Sequence, residues 1–477
     1  MPNFITFDNL INPLLSSGPG TPHPKWEEMD NRWAVIDDIL GGTEHMRLRG
    51  RIYIPQEPKE ETSAYMSRVN RTFLFPGLKS AIKRQLSKPF SKSVVINPKP
   101  NLTGRFDAND WVKDVTGFGV DLTGYLRMWH QSALKYGMSH TLVDMDPIPS
   151  VSISAIESRK QIPHLVHISP RDLISWSYDD IGLSEIRFIE HVTIPDPDNV
   201  WGKILQDRIK VITRTEWFVY VKNTNNEWVL IDNGPMTLGK IPLVTHYTFR
   251  IGDFIARPPF EDLSWLNIEH WQSSSDQRNA LRYGRAAILF FTGFQREELQ
   301  NMALGPNHVI FTDKGPSEAD SKYLEPQGAA IEAGERDLQH LEERMEIMGT
   351  QPLIARTQMS TATGKVIDTD EVHSDAAAWI QALEMRALEV INIAYEWVKE
   401  TPPEGLSVNI ASLEVVKPND SSRAKILDEA RKRGDLSQRT YINELKRYDI
   451  ISEDIDVDSE LDQTSKEVGM SASMIGM

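Results

Sequence analysis

Apolar residues recur at helical spacing most clearly in two stretches between about Gln327 and Lys399. In the first, Ile331, Leu338, Leu341, Met345 and Met348 fall on steps that sum threes and fours, with Gly334 in the missing slot. A single narrow stripe is therefore apolar and the rest of the helix is wet. In the second, Ile380, Leu383, Ala387, Val390, Ala394 and Trp397 repeat after the run Ala376 to Ala378, until Pro402, Pro403 and Gly405 stop the helix. Read from Val366 to Lys399, this second helix is roughly 50 Å long and needs neighbours along its length. Between the two lies Gly349 to Gly364, patterned as neither helix nor strand and rich in hydroxyls, with Arg356 inside it and Lys365 just beyond. Such a segment suits contact with water or with a polyanion.

The same reading places the other elements in order. Met1 to Pro24 mixes Pro, Gly, Ser and Asn in the manner of an arm ordered by a neighbour. Trp26, Met29, Trp33, Ile36 and Leu40 mark a helix terminated by Gly41 and Gly42. Glu61 to about Gln85 is helical with an interruption at Pro76 and Gly77. Its Arg68, Arg71, Lys79, Lys83 and Arg84, with Lys88, form the one clearly positive zone, read as a solvated or subunit-facing surface. Asp121 to Tyr136 is a helix ended by Gly137 and followed by the strand Thr141, Leu142, Val143. From about Val151 to Phe249 the alternation is that of strands. It includes a hairpin in which Trp217 to Val221 turns through Asn223 to Asn226 into Trp228 to Ile231. Pro258 and Pro259 close this region, and Glu261 to Arg285 reads as a helix. Ala287 to Phe294 and His308 to Thr312 read as two short strands of a β insert, held between that helix and a second one at Gln327 to Met348. Two helices running out and back with an insert at the far end make a hairpin-shaped protrusion. Leu406, Val408 and Ile410 are expected to return to the central sheet. Two short helices, Ser422 to Lys432 and Gln438 to Tyr448, then precede an acidic tail from Glu453 to Asp462.

The 477 residues carry a formal net charge of −16, with 40% hydrophobic and 25% charged residues. That balance supports several well-cored regions and argues against a protein that coats nucleic acid through a general basic surface. It leaves room for one through which nucleic acid slides. The absence of Cys rules out disulfides, thiolate nucleophiles and Cys-type zinc sites. The longest apolar run, Ala286 to Phe294, is far short of the ~20 residues of a bilayer-spanning helix, and no signal-peptide pattern opens the chain. A soluble, cytoplasmic protein without membrane contact is expected. Gly364-Lys365 and Gly239-Lys240 are followed by Val and Ile and lack the upstream glycine of a phosphate-binding loop; no H-E-x-x-H, G-x-S-x-G or G-x-G-x-x-G occurs. His164 and His167, three apart in a strand, point to opposite faces, and Asp144-Met145-Asp146 precedes Pro147 as a turn cap, so neither reads as a metal site. No catalytic residues, cofactor or metal are expected, and the chain is not read as an enzyme.

The order of parts resembles that of portal proteins of tailed bacteriophages, and the N-terminal text is the more specific evidence. His23-Pro24-x-Trp26, Trp33, Asp37-Asp38, Gly41, Ile52-Tyr53-Ile54-Pro55 and Tyr65-x-x-Arg68 are similar to a portal-like branch described only as a domain of unknown function. So are Tyr136-Gly137 before Leu142-Val143-Asp144, and Pro258-Pro259 ahead of Asp262-Leu263 and Leu266-Asn267. The resemblance implies an α+β portal fold. Its parts would be an N-terminal arm (1–25), a wing that is helical and then β-rich (26–260), a stem helix (261–285) and a small β clip (286–326). A second stem helix (327–348), a tunnel loop (349–365), a spine helix with the return strand of the wing (366–417), and a crown with an acidic tail (418–477) would follow.

The resemblance further implies a homo-oligomeric ring, of about twelve copies, at the capsid vertex of a virion and assembled in the host cytoplasm. Double-stranded DNA would be packaged and ejected through it without sequence-specific contact. The terminase large subunit, a head-tail adaptor, and major capsid and scaffolding proteins are the implied partners. Ile331, Leu338, Leu341, Met345 and Met348 would pack the stem helices of neighbouring subunits. Glu332, Glu335, Asp337, Glu342, Glu343 and Glu346 would line the channel and repel phosphates. Arg356, Thr357, Gln358, Ser360, Thr361, Thr363 and Lys365 would touch the DNA backbone. The alternative is another virion structural protein, a minor head or adaptor component, without an axial DNA channel.

Overall fold

The computed structural model describes residues 15, 18–97, 111–145, 162–197, 199–285, 288–292, 320–324, 328–353, 374–410, 427–428, 430–434 and 436–447. The chain divides into two units, Met1–Ser412 and Leu413–Met477. In the first, helices come early: α1 (Pro24–Leu40), α2 (Gly42–Leu48), α3 (Gly50–Tyr53), α4 (Thr62–Arg71) and α5 (Gly77–Ser87). Pro24 sits in the first turn of α1, where a missing N–H costs nothing, and the His23 ring accepts from the Lys25 amide at 3.1 Å. α1 ends at Leu40 as its glycines predict: Gly41 stays in the right-handed region and Gly42, at φ +83°, turns the chain into α2.

After the short strand β1 (Val95–Asn97), α6 (Leu122–Tyr136) starts at Asp121, whose Oδ1 accepts from the Gly124 amide at 3.1 Å. It closes at Gly137, which adopts φ +87° and packs so tightly that a Cβ there would lie 2.3 Å from the Arg257 carbonyl oxygen. Among the described residues ten strands follow: β2 (Met138–Asp144), β3 (His164–Ile168), β4 (Leu173–Asp179), β5 (Gly182–Pro195), β6 (Lys203–Thr213), β7 (Glu216–Lys222), β8 (Trp228–Pro235), β9 (Leu243–Tyr247), β10 (Arg250–Gly252) and β11 (Ile255–Ala256). β3, β2 and β9 form a three-stranded antiparallel sheet in that order, and β4 to β8 form a five-stranded meander. β2 is buried along nearly its whole length, which marks a strand covered on both faces. The hairpin read from the sequence is β7–β8, with Lys222 opposite Trp228. Trp26 and Trp33 of α1 enter one core with Met138, Leu142, Ile186 and Phe188, and the Trp33 indole donates to the Tyr136 carbonyl at 3.0 Å.

The remaining elements of the first unit are α7 (Glu261–Arg285), β12 (Ile288–Thr292), β13 (Asp320–Leu324), α8 (Gly328–Thr350), α9 (Asp375–Val398) and β14 (Ser407–Asn409). Here the structure corrects two expectations. β12 pairs with β13 at 320–324, and the segment 308–312, read as the second strand, lies outside the described residues. α9 begins at Asp375 because Ser374 is extended and its hydroxyl accepts from the Ala377 amide at 3.2 Å. Its 24 residues span about 36 Å, not the longer strut read from Val366. β14 pairs with β1 and not with the central sheet, while the Ile410 amide donates to Glu384 on α9 at 2.7 Å. In the second unit α10 (Gln438–Arg447) is headed by Ser437, whose Oγ accepts from the Thr440 amide at 3.1 Å.

Candidate functional site: the helix pair and its acidic line

α7 leaves the sheets after Pro258 and Pro259, and α8 returns antiparallel to it. Leu263 packs against Gly349, His270 Nε2 lies 3.1 Å from Glu342 Oε1, and Gln277 Nε2 donates to the Ile331 carbonyl at 2.8 Å. β12 and β13 continue the same pairing, with Ile288 opposite Leu324 and Thr292 opposite Asp320. Leu263 with Gly349, His270 with Glu342, and Ile288 with Leu324 are each equidistant in sequence from position 306. The helix pair and the strand pair are thus two lengths of one excursion, folded about one midpoint. Gly334, the gap in the apolar stripe, is where the Gln277 amide fits: a Cβ at 334 would lie 2.1 Å from Gln277 Oε1.

The stripe itself closes largely inside its own chain. Leu341 is 3% exposed and Met345 2%, packed where α5 and α7 meet α8, whereas Ile331, Leu338 and Met348 are half-buried. The expected packing between subunits is therefore replaced, at Leu341 and Met345, by packing within the subunit. The physical reason is α5, a third helix that the local pattern had no means of placing. Asn267, to which sequence reasoning assigned no role, clasps this helix: its Oδ1 accepts from the Leu78 amide and its Nδ2 donates to the Phe75 carbonyl, both at 3.0 Å. Gln85 donates to the Gly349 carbonyl at 3.0 Å and completes the joint.

Of the acidic residues, Glu332, Glu335, Asp337, Glu343 and Glu346 are exposed and Glu342 is half-buried. Glu346 accepts from Arg84 at 3.0 Å and Glu342 meets His270; among the described residues the other four have no cationic side chain within ion-pair distance. A groove of about 290 Å³ between α5 and α8 is lined by Phe75, Ser80 and Arg84 on one side and Gln339, Glu343 and Glu346 on the other. The positive zone loses one member, because Arg68 is buried, with Nε and Nη2 on the Glu60 carboxylate at 2.9 and 2.8 Å. Arg71, Lys79, Lys83, Arg84 and Lys88 remain exposed. Arg356, Thr357, Gln358, Ser360, Thr361, Thr363 and Lys365 lie outside the described residues.

The strongly perturbed histidines lie elsewhere. His130 Nδ1 and His246 Nε2 are 3.0 Å apart between α6 and β9, and His140 Nδ1 meets Thr245 Oγ1 at 2.9 Å. Burial pushes His130 and His140 down to about 3, and burial, with His130 and Arg386 nearby, holds His246 well below the ordinary value. These rings are neutral core. Among the described residues no three His, Asp or Glu side chains converge on a metal position, and no helix is long and apolar enough to cross a membrane. Asp144 caps the Met145 amide at 2.9 Å, and it also accepts from the Lys210 ammonium at 3.0 Å, a partner 66 residues away.

A sequence family described as a domain of unknown function, DUF4055, matches residues 259–398, which run from Pro259 to the last residue of α9. No curated protein matches the chain. Among solved structures, the chain is similar to one from the virion of a native gene transfer agent particle, at 11% identity and a TM-score of 0.41, over 78% of this chain and 89% of that chain. It is also similar to a chain in the neck of the native particle computed with C12 symmetry, at 11% identity and a TM-score of 0.39, over 77% of this chain and 88% of that one.

Proposed function

We propose that this chain is a virion structural protein of the portal kind, whose copies stand in a ring around an axis that passes double-stranded DNA. The observation that carries the reading is the antiparallel helix pair α7–α8 and the antiparallel strand pair β12–β13, both folded about nearly the same midpoint in the sequence. α7 is covered by α1, α4 and α5, whereas α8 is buried only toward α5 and α7 and wet elsewhere, and its wet side is a surface for neighbouring copies. The ribbon end is the place for proteins that drive or follow the DNA. Nothing in the sequence cradles a nucleotide phosphate, so the force for packaging comes from a partner. A chain of net charge −16 displaces few counterions from a duplex, which therefore moves past without sticking.

Mass photometry of the purified protein tests the ring. Copies of 54.3 kDa in a ring of about twelve give a species near 650 kDa. A lone 54.3 kDa species across the concentration range overturns the reading. Negative-stain images then decide the channel: a central hole supports DNA passage, and a closed assembly supports a head component without an axial channel.

A further inference from the structure

The two helices flanking the groove carry opposite charge. α5 and the residue that follows it expose Lys79, Lys83, Arg84 and Lys88, and the helix contains no carboxylate. On α8, Glu332, Glu335, Gln339, Glu343 and Glu346 succeed one another at steps of three and four, so they form one line along the helix. Arg84 and Glu346 pair with each other. Among the described residues, Lys79 and Lys83 have no carboxylate partner, and Glu332, Glu335 and Glu343 have no cationic one. Ser80 and Arg84 line the groove and the two lysines do not, so Lys79 and Lys83 leave α5 on the flank turned away from α8. The basic pair and the acidic line thus do not meet within one chain.

We infer that the acidic line of α8 in one copy receives Lys79 and Lys83 of α5 in the next copy. This rests on the ring reading, and it gives the acidic line a role other than the channel lining expected from the sequence. Two complementary patches on different flanks cannot both be used in one pairwise contact. They pass the contact from copy to copy, which closes into a ring when the rotation allows. Exposed pairs are individually weak, but they repeat at every interface, and facing like charges oppose assembly strongly.

The experiment is mass photometry of the full chain at about 0.15 M salt, comparing wild type, K79E/K83E, E335K/E343K and the variant carrying all four changes. We expect each charge reversal to lose the ring species and the four-residue swap to regain at least about half of it, since the swap restores opposite signs across the contact. All four positions are exposed, so melting temperatures should stay near wild type. Rings that persist in both reversals overturn this inference and leave the ring reading intact, as does a swap that fails to regain them. A monomeric wild type overturns the ring reading itself, and this inference with it. Should a reversal not fold, the wild-type ring decides alone: mass unchanged between about 0.05 and 1 M salt overturns the contact.

Discussion

The layer of α6 with β2 and β9 and the pair of α7 with α8 treat polar groups in opposite ways. The first encloses His130, His140 and His246 almost completely and keeps them neutral, with strands covered on both faces. The second buries Asn267, His270 and Gln277 with partners on neighbouring elements and, among the described residues, leaves Glu332, Glu335, Asp337 and Glu343 in water without a cationic partner. A closed layer needs nothing further. α8, closed on the side of α5 and α7 and charged on the other, is still available to another surface, which is why function is sought there.

The largest effects test where each region closes. Trp33→Ala empties the first core and should cost about 3–5 kcal/mol. Leu341→Asp places an unpaired charge between α5, α7 and α8 and should cost about as much, read as a lower melting temperature of the isolated subunit. If Leu341→Asp instead removed the oligomer with the melting temperature unchanged, the stripe would be an intersubunit contact after all.

Acid should separate the regions next. His130 and His140 have folded values of about 3 against 6.5 unfolded, so the unfolded chain takes up protons first as pH falls. Their contribution is complete above 6.5 and is lost on acidification toward 3, by up to about 1.4 kcal/mol per pH unit for each ring. His191 runs the other way: burial works against its charge, but Asp207 and Asp172 hold its value above the ordinary one. Its contribution is present in acid and fades as pH rises through that value. Melting curves from pH 5 to pH 8 should therefore rise steeply, and His191→Gln should make the rise slightly steeper; a flat profile would mean the buried rings are not neutral core.

The smallest effect concerns the helix crossing. Gly334→Ala should lose about 1–2 kcal/mol, because the methyl displaces the Gln277 amide. In a Gln277→Ala background the same change should gain up to about 1 kcal/mol from helix propensity. A loss in both backgrounds would place the strain elsewhere.

Much of this molecule was legible residue by residue. Asp121 and Gly137 bracket α6 as their chemistry dictates, α7 has the ends its pattern predicts, and the β7–β8 hairpin turns where Asn223 to Asn226 lie. The N-terminal motifs were visible as text, although their work was not. Asp37 accepts from Tyr136 and Arg171, and its neighbour Asp38 accepts from Tyr53 and Arg49. The candidate site was half legible: five of its six acidic residues are exposed and Glu342 is half-buried, while the central part of its apolar stripe is closed by α5, a helix the pattern names without saying that it packs on α8.

The sequence by itself determined the ends of α6 and α7 and which sides of the helices are apolar, since caps, glycines and spacing act over a few residues. Only the tertiary structure decided what each side meets. Gln85 reaches Gly349 across 264 residues and Ser407 reaches Asn97 across 310. β12 found its partner at 320–324 through backbone hydrogen bonds that every residue but proline offers alike. Local chemistry has no term for such distances; burial and strand pairing are settled by whichever surfaces the folded chain brings together.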